Sequence, residues 1–155
     1  MTSFLKRLKK EEKLGIAEPS ENISLSYLHK SEQCMRAAKI LHKEGIFENA
    51  VAEAYYGMYN ATLSLLFRNG IKCESHTGTI IILREIFQLS SPSSILKKAK
   101  KERIDKQYYI SDSTIAITES QEFIEQAEQF ILQIRLEIRK GYKKEYQERI
   151  NEEVE

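Results

Sequence analysis

Apolar residues recur along most of the chain at the spacing that places them on one side of an α-helix, and no segment alternates with the two-residue period of a strand. One apolar stripe runs from about residue 20 to residue 43 and is followed by Gly45, which suits the end of a helix. The most regular stripe runs from residue 116 to residue 138. These patterns predict an all-α protein, an up-and-down bundle of four to five helices joined by short links.

The segment from Phe47 to Asn69 differs from the others because apolar side chains occupy nearly its whole circumference. A helix of this kind must be covered on several sides. We therefore expect it either at the centre of the bundle or against a second protomer. Gly70 is expected to end this helix, Ser75 to cap the next one, and Pro92 to occupy the first position of the helix after that.

The two ends of the chain are more polar than its middle. We divide it into a basic N-terminal segment (1–19), a helical domain (20–140) and a charged tail (141–155) that is expected to fray or project into solvent. No apolar run approaches the roughly 20 residues that a membrane-spanning helix needs. The N-terminus also lacks the apolar run of a secretory signal. These features predict a cytoplasmic protein with no membrane contact.

Composition excludes several classes of protein. The net charge is +1, from 24 basic and 23 acidic residues, so the overall charge predicts no partner. Cys34 and Cys73 are too few for a disulfide framework or a zinc site, and we expect two reduced thiols. The chain has no glycine-rich phosphate loop and no metal-ligand or nucleophile motif, so neither a metal nor a cofactor is expected. The basic run 97–106 either faces phosphates or is a solvated helix face.

One turn carries candidate chemistry, with Arg68 before it and His76 after it. A guanidinium suits phosphate oxygens, an imidazole titrates near neutral pH, and a helix start adds N–H groups that favour an anion. These two side chains are sufficient for RNA cleavage without a metal: the histidine takes the 2′-hydroxyl proton and the arginine stabilises the charge on phosphorus. Alternatively, His76 only caps a helix.

Two stretches of the chain carry a family pattern: Ala54-Tyr55-Tyr56-Gly57-Met58-Tyr59-Asn60-Ala61, and Gly70 followed by Ser75-His76-Thr77-Gly78. With the later Arg103, Asp105 and Tyr108-Tyr109, this pattern resembles the HEPN domain, in particular its small stand-alone prokaryotic members. The resemblance spans roughly residues 22 to 140. It implies a helical bundle that dimerises and that is commonly encoded beside a minimal nucleotidyltransferase, as a toxin–antitoxin pair.

The resemblance also implies which residues would act. Active members are metal-independent ribonucleases that place an arginine and a histidine from both protomers in a cleft at the dimer interface. Here these residues would be Arg68 and His76, with Asn69 as the polar residue after the arginine. Seven residues separate Arg68 from His76, one more than the usual upper limit of the family motif, and Gly78 stands where the toxin members have a tyrosine.

Four further residues are expected to contact a nucleotide or RNA: Lys72, Tyr55, Tyr56 and Arg103. The tyrosines could stack on a base, although core packing is the competing interpretation for at least one of them.

Three functions are consistent with the sequence. The first is a homodimer that binds nucleotide or RNA beside a nucleotidyltransferase partner. The second is an active metal-independent endoribonuclease that uses Arg68 and His76. The third is a purely structural helical adaptor.

Overall fold

The computed structural model describes the backbone of residues 2–108 and 113–155 and the side chains of residues 3–105 and 117–155. Within these residues the chain forms seven helices and two short strands. In order they are α1 (Thr2–Lys10), β1 (Leu14–Ile16), α2 (Glu21–Lys43), α3 (Phe47–Arg68), β2 (Ile71–Cys73), α4 (His76–Glu85), α5 (Ser90–Tyr108), α6 (Ser113–Arg139) and α7 (Lys144–Val154). The prediction of an all-α protein is confirmed. No helix in the described ranges combines the length and the apolar character that a membrane crossing requires.

Helix α3 lies at the centre of the bundle, and 13 of its 22 residues are buried. Helices α2, α5 and α6 pack around it. The α2–α3 contact is close at Gly57, where an added Cβ would lie 2.7 Å from the Met35 Sδ. Ser31 Oγ also donates a hydrogen bond to the Gly57 carbonyl oxygen across 2.6 Å. Helices of the same chain therefore cover the apolar circumference that the sequence shows, without help from a second protomer.

The N-terminal segment is built into the core. Leu5 and Leu8 of α1 are buried, and β1 pairs with β2 in an antiparallel ladder that sets Leu14 opposite Cys73. The two strands depart from the sequence expectation of helices alone. Each has only three residues, too few for a two-residue alternation to be recognised.

The C-terminal residues also form a packed helix, whereas the sequence predicted a tail that frays or projects into solvent. Tyr146 and Ile150 of α7 are buried, and Val154 packs against the core. These three residues follow one another at steps of four and form one helical stripe. The many charged residues between them obscure the stripe in the sequence.

Several predicted helix ends are confirmed. Gly45 and Gly70 have φ angles of +79° and +67° at the ends of α2 and α3. Ser75 caps α4, because its Oγ accepts a hydrogen bond from the Gly78 N–H across 3.0 Å. The prediction that Pro92 occupies the first position of α5 is wrong, because this helix begins two residues earlier, at Ser90. Proline is tolerated at position 92 because N–H groups of the first turn have no intrahelical partner.

Candidate anion-binding site around His76

His76 is the first residue of α4, and its imidazole packs against two tyrosines of α3. The Nδ1 atom of His76 lies 2.6 Å from the hydroxyl oxygen of Tyr55, within hydrogen-bonding distance. The Tyr59 ring stacks on the imidazole, with centroids 3.8 Å apart and planes inclined by 8°. A hydrogen bond at one edge and a ring against one face together fix the orientation of the partly exposed imidazole.

Helix α5 brings two cations to the same place. Lys100 Nζ donates a hydrogen bond to Thr77 Oγ1 across 2.8 Å, which puts the ammonium beside the residue that follows His76. Arg103 lies one turn further along α5 and donates from Nη1 to the Tyr56 hydroxyl across 3.1 Å. Its guanidinium carbon is 5.1 Å from the centroid of the Tyr55 ring, a distance that suits a cation–π contact.

The environment favours the neutral form of His76. Burial lowers the pKa of the imidazole below 6.5, and the charges of Arg103 and Lys100 lower the pKa further. Burial also raises the pKa of the Tyr55 phenol, so this hydroxyl stays protonated at neutral pH. When Tyr55 donates to Nδ1, the Nε2 atom carries the proton and can donate to an anion. When Nδ1 donates to Tyr55, Nε2 has a free lone pair and can act as a base.

The three nitrogen-bearing side chains His76, Lys100 and Arg103 are hereafter called the His76 row, and Lys100 and Arg103 give it positive charge. The start of α4 adds the positive end of a helix dipole. Glu48 and Glu53 line a groove of about 340 Å³ together with Arg103 and Tyr56. An anion with several oxygen acceptors, such as a phosphate, suits the His76 row best. Among the described residues, no group of three or more His, Cys, Asp or Glu side chains could hold a metal.

Arg68 lies elsewhere in the monomer. It is nine residues beyond Tyr59 on α3, which corresponds to half a turn of rotation and about 13 Å along the axis. Its guanidinium lies near Gly141, where an added Cβ would be 3.6 Å from Nη2, and it lines a groove with Arg135 and Arg139 of α6. Within one chain, the arginine that accompanies His76 is therefore Arg103.

Asn69 is buried and makes hydrogen bonds at both ends of its amide. It donates from Nδ2 to the Leu65 carbonyl oxygen across 3.0 Å, and its Oδ1 accepts from the Lys143 N–H across 3.0 Å. These bonds join the end of α3 to the start of α7. Lys72 is exposed on β2, with its Nζ 3.3 Å from a Glu74 carboxylate oxygen.

The two predicted stacking tyrosines differ in exposure. Tyr55 is 0% exposed, so its ring is not available to stack on a base, and it takes part in the site through its contacts with His76 and Arg103. Tyr56 is partly exposed and lines the groove beside Arg103. Of the other residues in the family pattern, the side chain of Tyr108 and all of Tyr109 lie outside the described residues.

Sequence reasoning did not single out Lys100 or Tyr59 as members of this site. Lys100 stands three residues before Arg103 in the basic run, so the spacing alone puts both on one helix face. Tyr59 stands four residues after Tyr55 on the same face of α3, but its contact with His76 depends on how α3 and α4 pack.

A comparison of the chain with known protein families agrees with the fold and with the site described above. The family model of the HEPN domain matches residues 24–141, well over half of the chain. The chain therefore belongs to the HEPN domain family. It is also 34% identical over 53 residues to a UPF0332 protein of Gloeobacter violaceus. That similarity covers 34% of this chain and 42% of the relative, so the match spans less than half of the relative's length.

Proposed function

We propose that this HEPN protein binds phosphate groups of a nucleotide or RNA at the His76 row. The observation that carries the proposal is the convergence of an imidazole, an ammonium and a guanidinium from α4 and α5 on one partly exposed surface. Arginine and lysine are the usual phosphate-binding side chains, and the partly exposed Tyr56 beside Arg103 adds an aromatic face for a base.

Binding of a fluorescently labelled single-stranded RNA, followed by anisotropy at several salt concentrations, tests this proposal. We expect Lys100→Gln and Arg103→Gln to weaken binding, and Lys100→Gln to lower the slope of log affinity against log salt by about 0.7. Lys30→Gln is the matched control, because it removes one charge from an exposed position on α2. If all four proteins bind with equal affinity and slope, the proposal is wrong.

A second candidate function is metal-independent RNA cleavage at the same surface. It is favoured by the neutral imidazole of His76, held by Tyr55 and flanked by the Arg103 guanidinium. In this reaction Nε2 of His76 removes the proton of the 2′-hydroxyl, O2′ forms a bond to phosphorus, and the bond from phosphorus to the 5′-oxygen breaks. The leaving oxygen takes a proton from water or from the imidazolium, and Arg103 stabilises the charge on the phosphate.

Cleavage assays in the presence of a chelator separate this reaction from simple binding. The reaction requires that His76→Ala abolish cleavage and that Arg103→Gln reduce it strongly. Arg68→Gln then distinguishes two versions of the site. It leaves the rate unchanged if one chain is sufficient, and it reduces the rate if Arg68 enters from a second protomer, as the family motif implies. Absence of cleavage in the wild type, together with normal RNA binding, leaves the binding function alone.

We further propose that the protein is a homodimer. Exposed leucines on α2 and α6 support this assignment: Leu25, Leu132 and Leu136 are 56%, 62% and 59% exposed. Light scattering after gel filtration should give twice the monomer mass, and Leu132→Glu should reduce it. A monomer at high concentration would contradict the assignment.

The remaining part of the proposal concerns partner and compartment. On the family resemblance, we propose a minimal nucleotidyltransferase as the partner in a toxin–antitoxin-like pair, acting in the cytoplasm. Co-expression with a nucleotidyltransferase encoded beside this chain, followed by affinity purification of one tagged protein, tests the pairing. Capture of that partner without any RNA or nucleotide binding would favour the structural adaptor instead.

A further inference from the structure

A pocket of about 310 Å³ lies next to the His76 row, between α1, α4 and α5. Its apolar wall is formed by Phe4 from α1 and by Ile80 and Ile81 from α4. Both isoleucines are buried, and Phe4 is partly buried against the core. The volume is at the lower end of the range for small-ligand pockets, and the lining is mainly apolar, as is usual for such pockets.

The rim of the same pocket is positive. Arg84, Lys97 and Lys100 border it, and the charge of Arg84 is partly offset by Glu85, whose Oε1 lies 3.0 Å from Nε. Thr77 and Lys100 belong to the pocket as well as to the surface around His76. The pocket therefore shares Lys100 with the proposed phosphate site and lies beside it.

An aromatic ring and a row of cations are the two elements with which proteins bind single-stranded nucleic acid. The ring stacks on a base, and the cations follow the phosphates. At Phe4, one ring face is covered by the Arg7 guanidinium, whose carbon is 4.8 Å from the ring centroid. A base would therefore contact the other face or the edge of the ring.

We propose that this pocket is a base-binding subsite for single-stranded RNA, and that the adjoining phosphate lies at the His76 row. The inference rests on the function proposed above and adds α1 to the binding surface. Because α1 precedes residues 24–141, this subsite is built partly by a segment outside the region matched by the HEPN family model.

The test compares the binding of a labelled short oligoadenylate with that of the same oligomer made with abasic sugars. We expect Phe4→Ala to weaken binding of oligoadenylate about tenfold without changing the salt slope, because stacking releases no counterions. Phe4→Leu keeps the apolar packing but removes the aromatic face, and should also weaken binding. Neither variant should alter binding of the abasic oligomer. Lys97→Gln should lower the salt slope by about 0.7 for both oligomers.

The outcomes separate the two proposals. If Lys100→Gln weakens binding but Phe4→Leu, folded as judged by circular dichroism, binds oligoadenylate like the wild type, the subsite is wrong and the phosphate site stands. An equal loss with the abasic oligomer also overturns the subsite, because the ring would then not contact a base. If the wild type binds neither oligomer, both proposals fall.

Discussion

The imidazole of His76 lies face to face with the phenol ring of Tyr59, with centroids 3.8 Å apart and planes inclined by only 8°. Because Tyr55 holds Nδ1 at the same time, the imidazole cannot turn without losing both contacts. The fold thus fixes the orientation of a histidine beside two cations of α5, Lys100 and Arg103. Such an arrangement is expected of a site that positions an anion.

Acidification should lower the stability of the protein, because the folded state disfavours the protonated form of the His76 imidazole. The pKa of His76 is lower in the folded protein than the ordinary value of 6.5, so the unfolded chain binds the proton more readily. The free energy of unfolding should therefore fall as the pH drops from about 7 to about 5. We expect a shallower decline in His76→Gln, measured by urea unfolding across this range. Parallel curves for the two proteins would contradict the assignment.

Removal of the Tyr55 hydroxyl should destabilise the protein. Tyr55→Phe keeps the buried ring but deprives Nδ1 of its partner, and we expect a loss of about 1 kcal/mol in the free energy of unfolding. Tyr56→Phe is a suitable comparison, because it removes a hydroxyl from a more exposed position and should cost less. The imidazole proton resonances of His76 should shift in Tyr55→Phe. Unchanged stability and unchanged resonances would show that the hydrogen bond does not form in solution.

Substitution of two glycines separates the backbone contribution to stability from the steric one. Gly45 and Gly70 both have positive φ angles, but a Cβ at Gly45 would meet nothing within 4 Å. A Cβ at Gly70 would lie 2.5 Å from the Ala17 carbonyl oxygen. We expect Gly45→Ala to cost about 1 kcal/mol from the left-handed conformation alone, and Gly70→Ala to cost clearly more. Thermal and urea unfolding of both variants measure the difference, and equal losses would be inconsistent with this packing.

The packing of α7 can be tested at Ile150, which is buried although the segment around it is strongly charged. We expect Ile150→Ala to lower the free energy of unfolding by about 3 kcal/mol, as for other buried isoleucines. Glu152→Ala, on the exposed side of the same helix, should change it little. If both variants were as stable as the wild type, residues 144–154 would not be packed against the core in solution.

The sequence was sufficient to predict those elements that are determined by residues close together in the chain. The stripes of α2 and α6, the all-round apolar character of α3 and the caps at Gly45, Gly70 and Ser75 each follow from nearby residues. Helix α7 and the β1–β2 ladder could not be predicted in the same way. Three apolar residues among many charges, or two strands of three residues, show their role only once the rest of the core is present.

The site shows the same division between local and tertiary information. His76 was identified because a histidine at a helix start has a chemical meaning of its own, and Arg103 was recognised through the family pattern. The pairing of His76 with Arg103 could not be predicted from the sequence alone. Proximity in sequence favours Arg68, but the turn of α3 places that side chain on another side of the bundle. The arginine beside His76 is Arg103, which comes from the later helix α5.

The most direct test of the phosphate site is the pKa of His76, measured by proton NMR without ligand and with adenosine monophosphate. A bound phosphate places negative charge beside the imidazole and favours its charged form. We predict a pKa below 6.5 in the free protein, a rise on addition of the nucleotide, and no rise with uncharged adenosine. A His76 pKa that stays the same while the nucleotide demonstrably binds the protein would place the phosphate elsewhere and contradict the account.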